Sequence, residues 1–315
     1  MTHAWMLCGA LVAGLAAGAR ADTLKVPKDF ATIPEALAAA QTGDEIVVAK
    51  GTYEPFVLSK AAGITLRGKG KPRIDGGGGA GALVTIDGCD GVELTGFRLQ
   101  NGAGEGLVVT GSDDIILSKC RFEDIDGDAL QLAGAGHLVE KCRFESIGGD
   151  AVALQAGSSA IALDKNRMTD VDTAVTFLGS LHVATKNRVK DAGNEGFVVT
   201  ASECSIVKNR FDGVDDDALD VEGDDNLFEL NRVKDANSNG VEIEPAKGDP
   251  FVVTGNVFLK NKVMHSGVNG FFAGTTGNTF EQNKAKKSGN FDLLDLTGPG
   301  GNTYTDNTFG TESIP

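Results

Sequence analysis

Apolar residues in this chain fall into short alternating runs that return about every 22 positions. Leu219-Asp220-Val221-Glu222 and Val241-Glu242-Ile243-Glu244 show the same four-residue pattern, 22 positions apart. Successive side chains of an extended strand face opposite sides, so each run predicts an apolar inner face and a polar outer one. Comparable runs begin at Val84, Leu107, Leu130, Val152, Val175, Phe197, Leu219, Val241, Phe271 and Leu293, with spacings of 23, 23, 22, 23, 22, 22, 22, 30 and 22. A unit this short cannot bury its own apolar face, and stacked neighbours must supply the core. No helical 3.6-residue period is sustained, so the pattern predicts a β-solenoid and not a helical array.

A second column fixes the register: Cys120, Cys142, Asn166, Asn187, Asn209, Asn231, Asn261, Asn283 and Asn307 recur once per coil. Stacked amides can bond to the copies above and below them. Two residues further on, Phe122, Phe144, Met168, Val189, Phe211, Val233 and Val263 predict an inward apolar column. Cys120 and Cys142 read as two rungs of the first column, with a disulfide between adjacent coils as the alternative. His137 and His182 share one repeat slot two coils apart, too far to share a ligand, and read as ordinary residues, as does His265. Before the repeat, Thr32 and Glu35 form a capping box with Pro34 in the first turn, predicting a helix to about Gln41 that covers the open end of the stack. Strands are expected at 45–49, 55–58, 63–66 and 83–86.

The N-terminus changes the expected location. Trp5 to Ala19 is an apolar run, and Ala19-Arg20-Ala21 is a small-residue cleavage site, so residues 1–21 read as a secretory signal and 22–315 as one secreted or periplasmic domain. The run is too short to span a membrane, and a monomer is expected. The net charge of −15 argues against a nucleic-acid partner. Against that background, Arg121, Arg143, Arg167, Arg188, Arg210 and Arg232 form a basic column with Lys119, Lys141, Lys165, Lys186 and Lys208 beside it. Either this stripe takes a polyanionic glycan, or it pairs with Glu123, Asp124, Glu145, Asp170, Asp191 and Asp212 just downstream.

The sharpest chemical signal is the carboxylate set Asp220, Glu222, Glu242 and Glu244. Stacking would place the two pairs about 4.8 Å apart on the outside of one sheet. Like charges that close share a proton or hold a cation. The long coil from Val241 to Gly270 carries its extra residues between Pro245 and Phe258, next to this patch. Phe272 should face outward beside Glu242 and could stack on a sugar ring.

The chain resembles the right-handed parallel β-helix superfamily of pectin-lyase-like proteins. Thr32-Ile33-Pro34-Glu35-Ala36-Leu37, Thr42-Gly43-Asp44-Glu45-Ile46-Val47-Val48, Gly51-Thr52-Tyr53, Ile64-Thr65-Leu66-Arg67-Gly68-Lys69-Gly70 and the Asn-Arg repeats carry the likeness. The resemblance implies an all-β, single-domain right-handed parallel β-helix of about ten to twelve coils, with an N-terminal capping helix. Locally, Asn239-Gly240-Val241-Glu242-Ile243-Glu244 resembles the Asn-Gly-x-Glu element of calcium-dependent alginate and dermatan lyases. That likeness implies calcium held by Glu242 and Glu244 with Asp220 or Glu222 adjacent, and Lys247 as a base. The next coil, Gly270-Phe271-Phe272-Ala273-Gly274, lacks the arginine those lyases carry. Asp216-Asp217-Ala218-Leu219-Asp220 resembles the paired aspartates of polygalacturonases, which would make Asp217 and Asp220 hydrolytic residues. The leading expectation is a protein acting on an acidic polysaccharide as a calcium-assisted uronate lyase. The alternatives are a non-catalytic carbohydrate-binding or cell-envelope protein, and a glycoside hydrolase.

Overall fold

A computed structural model describes residues 21–245 and 252–314. Its strands form three parallel sheets, and each coil contributes one strand to each sheet in turn. Sheet I has 12 strands, from Phe56–Ser59 to Glu312–Ser313; sheet II has 13, from Thr23–Val26 to Thr303–Thr305; sheet III has 12, from Thr52–Tyr53 to Thr308–Phe309. Leu107–Thr110, Ile116–Ser118 and Arg121–Ile125 make up one such coil. The register follows the column expected from the sequence: Leu107 pairs with Val84 and Leu130, Phe197 with Leu219, and Phe271 with Val241 and Leu293. The stack begins one strand earlier than expected, because Thr23–Val26 pairs with Glu45–Val48. With only two apolar members, these four residues give too little pattern to be recognised alone, although Glu45-Ile46-Val47-Val48 follows 22 positions later.

The helix spans Ile33–Ala39, with Thr32 as N-cap, and its capping box with Glu35 is formed. Ile33 and Ala36 are buried against the first coil. Inside the solenoid, apolar columns stack ring on ring. Phe122 and Phe144 lie 4.9 Å apart, and Phe228, Phe258, Phe280 and Tyr304 continue a second stack at 4.8, 5.0 and 4.9 Å.

The asparagine column forms a buried ladder between sheets II and III. Asn187 donates its backbone N–H and its Nδ2 to Asn209 Oδ1 at 2.9 and 3.0 Å, and Nδ2 also reaches Leu163 O at 2.9 Å. Cys142 enters the same ladder, donating its N–H to Asn166 Oδ1 at 2.9 Å, and Cys120 and Cys142 are both free thiols. A second ladder, not expected from the sequence, runs through Cys204, Asn226, Asn256, Asn278 and Asn302 at the turn between sheets I and II. His137 and His182 occupy earlier rungs of that turn. Their Nδ1 atoms accept from Ile115 N at 3.1 Å and Ile161 N at 3.2 Å, standing in for an asparagine oxygen. Burial lowers both histidine pKa values, which favours the neutral ring that this acceptor role needs.

The basic column faces outward on sheet III, and its expected acidic partners serve only part of it. Glu123 pairs with Arg98 and Arg121, Glu145 with Arg121, and Asp212 with Arg210 and Lys234. Asp170 instead accepts from Ser146, and Asp191 pairs with Lys190. Both take a left-handed backbone conformation, φ 56° and 54°, which interrupts the strand alternation that the sequence reading assumed.

Candidate active site on the outer face of sheet I

Along the outer face of sheet I, Val198, Asp220, Glu242 and Phe272 stand side by side on successive coils. Their strand neighbours Leu219, Val221, Val241 and Ile243 are fully buried, so alternation turns the carboxylates outward. Phe272 is half-buried next to Glu242, where the sequence placed it.

The turn that enters each sheet I strand carries a second row of oxygen-bearing side chains: Asp128, Asp150, Thr173, Glu195, Asp217, Asn239 and Asn269. They stack as the amides do. Asp128 Oδ1 accepts from Asp150 N at 2.8 Å, Glu195 Oε2 from Thr173 Oγ1 at 3.2 Å, and Asp217 Oδ1 from Asn239 N at 2.5 Å. Asn239 Oδ1 in turn accepts from Asn269 Nδ2 at 2.9 Å. Asp217 is 5% exposed, and it lies against Glu242 of the following coil.

This crowding sets the electrostatics. Burial, a hydrogen bond with Asp217 and the charges of Asp217, Glu244 and Asp220 push the Glu242 carboxyl up to about 9. Burial, and then the charges of Glu222, Asp217, Glu195 and Glu244, raise Asp220 to about 7. Glu195 is raised by burial and by the charges of Asp216 and Asp217, and Asp216 by burial and Asp217. At neutral pH, Glu242 therefore keeps its proton where it meets Asp217, while Asp220 is poised to gain or lose one. A proton donor and a proton acceptor side by side on a solvent-facing sheet can perform general acid–base chemistry.

The four residues expected to hold calcium are arranged differently. Glu222 accepts from Thr200 Oγ1 at 2.8 Å, Glu244 is exposed, and Glu242 is engaged with Asp217. Among the described residues, no three histidine, cysteine, aspartate or glutamate side chains converge on a point that could hold a metal ion. The oxygen donors suit calcium chemically, but this arrangement does not assemble them around one. Lys247 lies outside the described residues. The sheet I strand Val241–Ile243 ends next to Glu244, and the following described strand is Val257–Leu259 in sheet II.

Asp217 and Asp220 thus join Glu242 in one cluster, although the sequence assigned them to competing chemistries. Glu195 and Asp216 were missed. Glu195-Gly196-Phe197 aligns with Asp217-Ala218-Leu219, so reading the column two residues before each coil start would have found Glu195.

Residues 82–222 match the family described as right handed beta helix region. No curated protein matches the sequence. Among solved structures, the catalytic unit of a GH87 alpha-1,3-glucanase from Streptomyces thermodiastaticus is similar at TM-score 0.58 and 17% identity, covering 88% of this chain. This chain spans 65% of that protein's chain. The A-module of a mannuronan C-5 epimerase from Azotobacter vinelandii is similar at TM-score 0.60 and 14% identity, covering 90% of this chain and 94% of its own. A PL6 family polysaccharide lyase from Pseudopedobacter saltans is similar at TM-score 0.60 and 13% identity, covering 91% and 92%. Identities this low carry the fold and not the activity. With three parallel sheets, one strand of each per coil, and a family match across the middle of the chain, the protein is a right-handed parallel β-helix.

Proposed function

We propose that the protein cleaves glycosidic bonds of a polysaccharide lying across the outer face of sheet I. Glu242 acts as the proton donor, and Asp217 and Asp220 are the carboxylates beside it. The observation that carries this reading is geometric: Glu242 lies against buried Asp217 and stands in register with Asp220 on the outer face of sheet I, a crowding that raises the carboxyls of both Glu242 and Asp220. An acid that keeps its proton at pH 7 can deliver it to a leaving-group oxygen, and an ionised partner can activate water or stabilise the developing positive charge. The half-buried ring of Phe272 extends the face by one coil and offers a stacking surface for a sugar. Proteins of similar fold that act on glucan, mannuronan and other polysaccharides support the substrate class.

Elimination from a uronate is the second reading, favoured by Glu242 and Glu244 standing in the Asn239-Gly240-x-Glu context. Calcium belongs to that reading alone, with Asp220, Glu222, Glu242 and Glu244 as its donors once the side chains rearrange. Export through residues 1–21 fits a polymeric substrate, and N-terminal sequencing of the mature protein should then begin at Asp22.

The test is to incubate the protein with α-1,3-glucan, alginate and pectate, with and without calcium, and follow reducing ends beside ultraviolet absorbance. New reducing ends without absorbance, lost in Glu242→Gln, are expected for hydrolysis. Absorbance that needs calcium would move the case to elimination, because a conjugated double bond forms only then. Binding without either signal would mean a carbohydrate-binding protein and would end the catalytic proposal.

A further inference from the structure

The basic column on sheet III is a site of its own. Arg143, Arg167, Arg188, Arg210, Arg232 and Lys262 stand in register on six successive strands, each exposed. Like charges stacked across a parallel pair destabilise the sheet, so the column needs counter-charge. At its N-terminal end the chain supplies it, two positions along the strand, as Glu123 and Glu145. From the next coil onward the same position is Thr169, Lys190, Asp212, Lys234 and Met264, with a single carboxylate among five residues. Among the described residues, Arg167, Arg188 and Arg232 have no ion-pair partner.

These uncompensated side chains line an open groove of about 780 Å³. The arginines form one lip, Lys186, Lys208 and Lys260 form the other, and ladder residues Asn187 and Asn209 lie between them. Those asparagines are 0% and 1% exposed and bonded coil to coil, so the cation spacing is held by the rigid part of the fold. The groove follows the coils from Arg167 to Lys262 along the stacking direction, and its arginine lip repeats a charge about every 4.8 Å.

We propose that this groove binds an extended polyuronate, its carboxylates set against the arginines of one lip and the lysines of the other. A linear 1,4-linked uronate advances by a distance comparable to the coil spacing per residue and turns successive carboxylates to different sides of the chain, so both lips are used. Planar guanidinium groups match carboxylates through paired N–H donors. The acidic remainder of the molecule, at net charge −15, confines a polyanion to this strip. Nucleic acid fits less well, since a duplex strand places its phosphates on a helical path at 3.4 Å of axial rise each. The surface is separate from the carboxylate face of sheet I, and its failure or success leaves the cleavage proposal untouched.

The experiment measures binding of oligogalacturonate, oligoalginate and duplex DNA to the full chain by calorimetry at increasing salt. Uronate binding that weakens with salt is expected, falling about tenfold or more in Arg188→Gln with Arg210→Gln. Lys186→Gln with Lys208→Gln, on the opposite lip, should weaken it as well, and each variant's melting curve checks its fold. Arg188→Lys with Arg210→Lys keeps the charge and should recover part of the loss. Uronate affinity that survives both glutamine double variants, no uronate binding at all, or tighter binding of DNA would each overturn the proposal.

Discussion

Two rows of stacked side chains run the length of this solenoid on the same repeat, and they behave in opposite ways. In the ladder from Asn166 to Asn307 each side chain both donates and accepts, so adding a rung satisfies the one before it. In the row from Asp128 to Asp217 every side chain but Thr173 is a carboxylate, which when ionised can only accept. Stacking then leaves acceptors facing acceptors, and the row is relieved by backbone N–H groups, by the Thr173 hydroxyl or by a proton retained on the neighbouring Glu242. One geometry gives a structural spine with amides and a reactive surface with acids. From Asn239 onward the second row becomes amide as well, and its stacking bonds resume through Asn269.

The largest effect is expected at the proton itself. Glu242→Gln keeps the shape and a donor but cannot transfer a proton, so turnover on the cleaved glycan should fall about 10²–10⁴-fold with little change in substrate binding, read as kcat against KM. At the matching point in the amide ladder, Asn209→Leu should cost about 2–5 kcal/mol in denaturant unfolding. It strips the partners from Asn187 N–H and Ala184 C=O, at about 1–3 kcal/mol for each buried group left unsatisfied. Asn209→Asp would sharpen the contrast by placing an acid in the spine, and its stability should rise as the pH is lowered to protonate it.

A smaller effect follows from the raised carboxyls. Glu242 moves from 4.5 in the free group to about 9 in the fold, and Asp220 from 3.8 to about 7. The native state therefore binds more protons than the unfolded chain across this window. The stability these groups contribute is fully present below the unfolded values and is lost as the pH rises through the folded ones. Melting temperature should fall between about pH 5 and pH 9, and Glu242→Gln should flatten that slope. The smallest expected change is at the rim: Phe272→Ala should raise KM about fivefold while leaving kcat within a factor of about two, in line with an aromatic contact of about 1 kcal/mol. An unchanged KM would place the sugar elsewhere on the face.

The sequence by itself determined the solenoid, its register and the outward set of Asp220, Glu242 and Phe272. The reason is that the repeat is spelled once per coil: a column such as Asn187, Asn209 and Asn231 fixes the vertical alignment, and alternation fixes which side faces out. It also fixed the capping helix, because Thr32 and Glu35 interact within one turn. Tertiary structure decided what happens between neighbouring coils. Asp217 meets Glu242, 25 positions later, because the turn entering one strand lies against the strand of the next coil. Asp170 and Asp191 leave the arginine column because their own left-handed backbone conformation redirects their side chains. Coil-to-coil contacts such as these depend on where each turn bends, and the pattern of apolar positions, which records burial alone, carries no trace of that.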